Sequence, residues 1–365
     1  MMETDIIYQG HVLDVLPTLP NNCIDFIGTS PPYWQLRVYP ADPVIWDEGP
    51  TCEHEWAEST GAKTKLSSSG NTQEITEKYR RGSAPTSHFC VHCDAWLGSL
   101  GLEPTITLYI KHLCDIGDEL RRVLKPSGTC WFVIADTFYG SGAGHKDTGK
   151  LSCYPDESLA IHRDKGTLGD ELQKKCLCQI PQRFEIEMVK RGWILRHRII
   201  WHKSNAIPTS KKDGFTLDYE FVFGFVKKPV YSFKQQFEPA ITKDGIGQWP
   251  ATGGKKYAHM AKFSGEPSER RERRNMRSVW SIPTMPIPEY SHVAPFPEKL
   301  IEIPIRATCP VDGIGLDPFV GSGTTLAVLK RMSRQWIGID LSQEYVEMAY
   351  SRIAKTPQGA RKVFR

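Results

Sequence analysis

Gly315-Leu316-Asp317-Pro318-Phe319-Val320-Gly321-Ser322-Gly323-Thr324-Thr325 decides the fold, because it joins an apolar strand, a glycine-rich turn and a helix start with both threonines in its first turn. Downstream, the apolar run Trp336-Ile337-Gly338-Ile339-Asp340 ends in an acid. That spacing is the one at which a βαβ unit sets a carboxylate against a ribose. Working outward to the other end of the chain, Ile24-Asp25-Phe26-Ile27-Gly28 reads as another buried strand and runs straight into Thr29-Ser30-Pro31-Pro32-Tyr33-Trp34. Successive prolines stiffen the turn and remove N–H donors, leaving free carbonyls. Free acceptors with an aromatic at the rim suit a planar group bearing an NH2. Taken alone, the same turn is equally a rigid connection with Tyr33 as a packing residue. The glycine loop tips the reading toward a site for a nucleoside cofactor.

Together these stretches resemble the amino-group DNA methyltransferases, which use S-adenosylmethionine to methylate N4 of cytosine or N6 of adenine. Ser30-Pro31-Pro32-Tyr33 matches their catalytic motif (Ser/Asp/Asn)-Pro-Pro-(Tyr/Phe), and Asp317 to Thr325 matches their cofactor motif Asp-Pro-Phe-x-Gly-x-Gly-Thr-Thr. Phe296-Pro297-Glu298-Lys299-Leu300 is similar to the helix-opening motif before the glycine loop. A catalytic motif that precedes the cofactor motif is the order of the β group. The resemblance implies an α/β, Rossmann-like S-adenosylmethionine-dependent methyltransferase fold with permuted motif order and a seven-stranded, mostly parallel sheet. It implies that Ser30 and the Pro31 carbonyl accept the amino hydrogens of the target base, that Pro32 stiffens the turn, and that Tyr33 stacks on the base. On the cofactor side it assigns Asp317 and Phe319 to the methionine end and adenosine, and Gly321, Gly323 and Thr324 to the close-approach loop. Asp340 takes the ribose, with Glu298 and Lys299 as further contacts. One position departs from the family: the residue after Gly10 is commonly Asp and here is His11.

The implied chemistry is a direct in-line methyl transfer. An exocyclic amino nitrogen is a poor nucleophile because its lone pair is delocalised into the ring, and acceptors on its hydrogens localise that pair. Catalysis is then positioning and electrostatics without a covalent intermediate. The target lies inside a duplex, so the base is flipped out. C5-cytosine chemistry would need a cysteine after a proline, and none of the ten cysteines follows one. Ser at the first motif position is more typical of N4-cytosine enzymes and Asp of N6-adenine enzymes, which favours cytosine; both residues can accept from an amino group.

At 365 residues the chain suits a catalytic core with insertions, and its net charge of +4 permits nucleic-acid binding without demanding it. No apolar run reaches a membrane span and no signal-peptide core opens the chain, so a cytoplasmic protein is expected; the resemblance implies a prokaryotic or phage origin. The resemblance implies double-stranded DNA as the partner, and no membrane is expected; a cognate restriction endonuclease and a homodimer are compatible with it.

The expected organisation is a core over 1–50, a zinc-binding insertion over 51–97, and core again over 98–226 with a loop insertion at 137–178. A target-recognition segment follows over 227–280, then the cofactor-binding core over 281–356 and a tail over 357–365. The insertion is polar around Ser67-Ser68-Ser69-Gly70, yet its ends carry Cys52-Glu53-His54 and Cys90-Val91-His92-Cys93. A C-x-x-C pair converges on one metal and a second pair completes a tetrahedron, so Cys52, His54, Cys90 and Cys93 are assigned to a structural Zn2+. His88 and His92 compete for the fourth place. The opposing reading leaves Cys90 and Cys93 incidental.

Elsewhere, Ile6-Ile7-Tyr8 is expected as a strand and Val12 to Leu19 as a helix. Pro104 to Val123 is expected as a helix closed by the turn Lys125-Pro126-Ser127-Gly128, and Thr129 to Ala135 as a strand. Gly140 to Gly144 reads as a lid or DNA-side loop, and His145 to Lys175 as a surface excursion. Pro181 to Arg191 is expected as a helix, with Trp193 to Lys203 and Tyr219 to Val226 as strands of the catalytic sheet. The basic features Gly253-Gly254-Lys255-Lys256 and Arg270 to Arg274 fit either phosphate contacts or a solvated linker. Pro283 to Pro297, with five prolines, runs extended. An NAD-dependent oxidoreductase is the first rival reading, but Leu326 stands where G-x-G-x-x-G needs its third glycine. A non-catalytic zinc-containing nucleic-acid-binding protein is the second.

Overall fold

Strands with near-continuous apolar runs are buried on both faces, and that requirement organises this chain into a sheet sandwiched by helices. A computed structural model describes residues 2–36, 39, 41–49, 51–56, 88–139, 172–173, 175–210, 212–239, 273–284 and 295–359. The strands are β1 (Ile6–Gln9), β2 (Ile24–Thr29), β3 (Val44–Trp46), β4 (His88–Phe89), β5 (Trp96–Gly98), β6 (Leu124–Ile134) and β7 (Ile194–His202). They continue with β8 (Tyr219–Val226), β9 (Phe237–Pro239), β10 (Arg273–Asn275), β11 (Val279–Ser281), β12 (Ile314–Asp317) and β13 (Gln335–Asp340). The helices are α1 (Val12–Val15), α2 (Ile106–Val123), α3 (Ile180–Lys190), α4 (Glu298–Thr308), α5 (Thr324–Arg331) and α6 (Gln343–Lys355).

The main sheet runs β1-β13-β12-β2-β6-β8-β7-β11. Only β8 runs against its neighbours, β6 and β7; every other adjacent pair is parallel. The mostly parallel α/β sheet is as expected, but among the described residues it has eight strands where seven were expected. The additional strand, β11, pairs with β7 and straddles the end of the stretch assigned to target recognition, with Ser281 just beyond it.

Side-chain alternation along the central strands feeds two cores. Ile27 and Phe132 enter the core under α1, α2 and α3, while their neighbours Phe26 and Trp131 enter the core under α4, α5 and α6. Helix α2 begins where the Thr105 side chain caps the Leu108 amide at 3.1 Å, and ends in Arg121 and Arg122. Arg122 in turn donates to the carbonyls of Leu16 and Leu19, closing the short helical segment after α1. That segment was expected as one helix from Val12 to Leu19; it divides into α1 and a 3-10 turn over Leu16–Thr18, where Pro17 enters the chain. Lys125-Pro126-Ser127-Gly128 ends α2 as expected but is not a free turn. It bulges within β6, between the Ile24–Leu124 and Phe26–Thr129 pairs, and Lys125 reaches Asp25 at 2.8 Å.

A separate three-stranded sheet, β3-β5-β4, gathers the two ends of the insertion and starts at Val44, inside the stretch assigned to the core. Strands β9 and β10 form an antiparallel ribbon in which Arg274 and Arg277 both pair with Glu238, so Arg274 of the basic run is internally partnered. Ser67 to Gly70, Gly140 to Gly144, most of His145 to Lys175, Gly253 to Lys256, Arg270, Arg271 and most of Pro283 to Pro297 lie outside the described residues. No described helix is long and apolar enough to cross a membrane.

Candidate active site and metal cluster

The carboxyl ends of β1, β13, β12, β2 and β6 and the start of β8 share one edge of the sheet, where open α/β sheets bind ligands. On its cofactor side, the turn from β12 to α5 needs glycine: Gly321 and Gly323 adopt φ of 49° and 77°. A Cβ on Gly323 would also sit 3.0 Å from the Cβ of Ala349 on α6. Asp340 ends β13 with one oxygen 2.8 Å from the Gly321 amide and the other 2.9 Å from the Ser342 amide. Burial drives its carboxyl up to about 6 despite those amides. The acid therefore fixes the glycine loop and stands at its mouth.

Asp317 is fully buried and joins the two motifs. Its Oδ1 accepts from the Thr29 hydroxyl at 2.7 Å and the Phe319 amide at 3.1 Å. Burial lifts this carboxyl to about 7, with the Thr29 and Thr325 hydroxyls and the Phe319 amide opposing. Phe319 is partly buried against the core. Thr324 faces away from the mouth, its hydroxyl 2.8 Å from Arg352. The buried Arg352 also bonds Ser322 and pairs with Glu298 at 2.7 Å, and Glu298 pairs with Arg331 as well. Glu298 thus braces the loop from behind, and Lys299 lies exposed on α4. Sequence reasoning missed Arg352, whose only signal was a basic residue on the inner face of the last helix.

On the acceptor side, Ser30 and Tyr33 stand together at the end of β2. Their hydroxyls are 3.2 Å apart, and Tyr33 donates to Glu220 at 2.8 Å. Burial first, and the Glu220 charge second, hold the Tyr33 phenol well above its ordinary value, so it remains a donor. Glu220 is paired with Lys203, which also lies over the Trp201 ring. Behind the turn, Tyr109 donates to the Pro32 carbonyl at 2.7 Å, and Trp34 donates to the Glu103 carbonyl at 2.9 Å. The Pro31 carbonyl is left as a candidate acceptor for a ligand. His11 sits after β1 with its ring edge-on to Trp46, 4.6 Å between centroids, and burial lowers its pKa.

A DNA methylase family profile matches residues 24–351, spanning both motifs and the sheet between them. The chain belongs to this DNA methylase family. It is an S-adenosylmethionine-dependent, site-specific DNA methyltransferase that acts on an amino group, N4 of cytosine or N6 of adenine. The methylase is 29% identical to the type II methyltransferase M.Cfr9I of Citrobacter freundii over 347 residues, covering 95% of this chain and 87% of that one. It is 32% identical to M.SmaI of Serratia marcescens over 260 residues, covering 71% and 78% of the two chains. The fold is similar to that of the cytosine-N4-specific PvuII DNA methyltransferase, with a TM-score of 0.54 at 16% identity over 96% of this chain and 87% of that one. The rigid glycine turn with a carboxylate at its mouth fits the cofactor of the family.

The methylase also gathers Cys52, His54, Cys90 and Cys93, with their ligand atoms all within 4.8 Å of one another. Cys52 and Cys90 sulfurs are 3.7 Å apart, and Cys93 Sγ is 3.5 Å from His54 Nδ1. Tetrahedral Zn2+ with Zn–S bonds of ~2.3 Å places its sulfurs ~3.8 Å apart. His54 Nε2 is 3.3 Å from Glu48, the outer carboxylate that commonly orients a metal-binding imidazole. Burial would raise the Cys90 thiol, but hydrogen bonds from the His92 amide and the His54 ring draw it down to about 5. His92 is 56% exposed at its side chain and turns to Glu55, while His88 pairs through its backbone with Leu97.

A buried polar bridge, also missed by the sequence reading, links this lobe to the catalytic turn. His112 stacks on Trp46 at 4.5 Å and on Trp96 at 5.5 Å, both from the small sheet. Its ring nitrogens meet Asp47 at 3.3 Å and the fully buried Glu103 at 3.0 Å, and Glu103 accepts from the Gly101 amide at 2.8 Å. Gly101 in turn accepts from the Gln35 amide, two residues beyond Tyr33.

Proposed function

We propose that this methyltransferase modifies N4 of cytosine in double-stranded DNA, with the target base flipped into the pocket between Ser30, Tyr33 and the glycine loop. The observation that carries the reading is the placement of a neutral serine acceptor, beside a proline carbonyl, at the strand end joined to the cofactor strand through Thr29 and Asp317. Ser30 Oγ and the Pro31 carbonyl take the two amino hydrogens and localise the nitrogen lone pair. Pro31 and Pro32 hold those acceptors still, so little reorganisation accompanies the reaction. The Tyr33 ring, fixed at its hydroxyl, offers a face to the base. S-Adenosylmethionine, when bound, supplies an electrophilic methyl on its sulfonium. Asp340 and the Gly321–Gly323 loop hold the ribose and adenosine, and Asp317 and Phe319 shape the methionine end. Glu298, Lys299 and Thr324 act from behind or beside that loop.

Cys52, His54, Cys90 and Cys93 hold a structural zinc ion in this reading. The sulfur and nitrogen spacings support it, and a complete protein ligand set leaves no open position for chemistry. The zinc lobe at 51–97 and the segment at 227–280 are accessory to the core, and 227–280 carries target recognition. A cognate restriction endonuclease and a homodimer are the assemblies to look for.

The test is transfer of labelled methyl groups from S-adenosylmethionine to unmethylated DNA, followed by nucleoside mass spectrometry. N4-methylcytosine is the expected product. N6-methyladenine would overturn the choice of base, and an unmodified digest from protein that binds both cofactor and DNA would overturn the assignment of function.

A further inference from the structure

Hydrogen-bond inventory at the catalytic turn fixes more than distances. Glu220 is 8% exposed, and one of its carboxylate oxygens is paired with the Lys203 ammonium. A carboxylate paired in this way can only accept. Its other oxygen lies 2.8 Å from the Tyr33 hydroxyl, so the single phenolic hydrogen is committed to Glu220. The Tyr33 oxygen then has only lone pairs to offer Ser30, 3.2 Å away, and the Ser30 hydrogen is committed to Tyr33. What Ser30 Oγ has left to present to a ligand is lone pairs alone.

We propose that Glu220 sets the direction of this hydrogen-bond file and so makes Ser30 an obligate acceptor, selecting an amino group over a keto group at the target position. The assignment rests on the amino-methylation reading above and names the device by which the same site discriminates. An NH2 donates to Ser30; the keto oxygen of uracil or hypoxanthine at that position sets lone pair against lone pair. Polarisation along the file also strengthens Ser30 as an acceptor when the amino nitrogen begins to bond to the methyl carbon. Glu220 touches no reacting atom and is a positioning residue that acts through Tyr33. It comes from β8, on the far side of β6 from the catalytic turn, which is why no local motif contains it.

Glu220→Gln is the informative change. The carboxamide keeps the shape but can donate its N–H to the Tyr33 oxygen, which allows the file to reverse and Ser30 to donate into the pocket. The experiment uses the full chain and a duplex carrying the sequence that the wild type methylates, with either the natural base or its keto analogue at the target. Expected for Glu220→Gln are a single-turnover rate lower by about tenfold or more, unchanged S-adenosylmethionine affinity, and a binding ratio shifted toward the keto duplex. Comparing ratios between wild type and variant cancels the effect of the mismatch itself. Tyr33→Phe, which keeps the ring and cuts the file, should relax the same preference, and Glu220→Gln added to it should cost nothing further. An unchanged amino-to-keto preference in Glu220→Gln, or losses that simply add in the double variant, would overturn the proposal while leaving an active wild type as a methyltransferase. A wild type that transfers no methyl to DNA would sink the underlying reading, and this inference with it.

Discussion

The two halves of the catalytic edge are built differently. The cofactor half is local: Asp317, the glycine turn, α5 and Asp340 follow one another along the chain, and neighbouring strands β12 and β13 bring them together. The acceptor half is assembled from afar. Tyr33 is held by Glu220, 187 positions away, and the turn behind it is braced through Tyr109, Glu103 and His112. A local site tolerates change around it but not within it, whereas an assembled site is exposed to changes in distant elements.

Substitutions that strike one half and spare the other test this contrast. Ser30→Ala should show the largest effect, a fall of about 10²- to 10³-fold in kcat with cofactor affinity within about twofold of wild type. Parallel loss of both would mean that the halves are not separable. Removing the proposed zinc is next: Cys90→Ser or a strong chelator should release one zinc per chain, measured by elemental analysis, and lower the melting temperature by roughly 5 °C or more. Cofactor binding by calorimetry should survive, because the glycine turn and Asp340 are held by α5, α6 and β13 rather than by the lobe that carries the cluster. Retained stability in a metal-free protein would contradict the assignment.

Gly323→Ala strikes the local half. A side chain at φ 77°, pressed against Ala349 at 3.0 Å, should cost about 1–3 kcal/mol of stability. It should also weaken cofactor binding, while DNA affinity holds. The smallest effect is a pH dependence. Burial raises Asp317 from 3.8 to about 7, so its contribution is greatest below its ordinary pKa and is lost as pH rises through about 7. Asp317→Asn does not titrate. Between about pH 5 and about pH 8, the melting temperature of the wild type should therefore fall relative to that variant. A constant difference across that window would show that Asp317 is not held in the environment described.

What was legible in the sequence follows the same division. Glycine turns and apolar strands are written in consecutive residues, so β2, α2, α3, β8 and β13 were found close to their observed limits, and α5 at its start. The Cys/His cluster was legible as a gathering because Cys90 and Cys93 share a spacing that few other roles require. Long-range braces were not. Glu220 gave only a weak signal, a lone acid in the apolar run Tyr219 to Val226, and its partner Tyr33 could not be chosen from the sequence. Glu298 matched a family motif, yet the arginines that occupy it come from α5 and α6. Strand β11 is three residues long with only Trp280 buried, too short to show a period. The turn at Lys125 to Gly128 was recognised by its composition, but its place within β6 depends on the register with β2.

Selection of cytosine N4 belongs, in our proposal, to the acceptor half, while the cofactor half supplies a generic methyl-donor site. Its most direct test is single-molecule sequencing of genomic DNA from a methylation-deficient bacterial host expressing the protein, with modified positions read from polymerase kinetics and the base confirmed chemically. N4-methylcytosine at one short recurring sequence, absent from a Ser30→Ala control, is the predicted result. N6-methyladenine at such a sequence, or no modified base in cells that contain the folded protein, would contradict it.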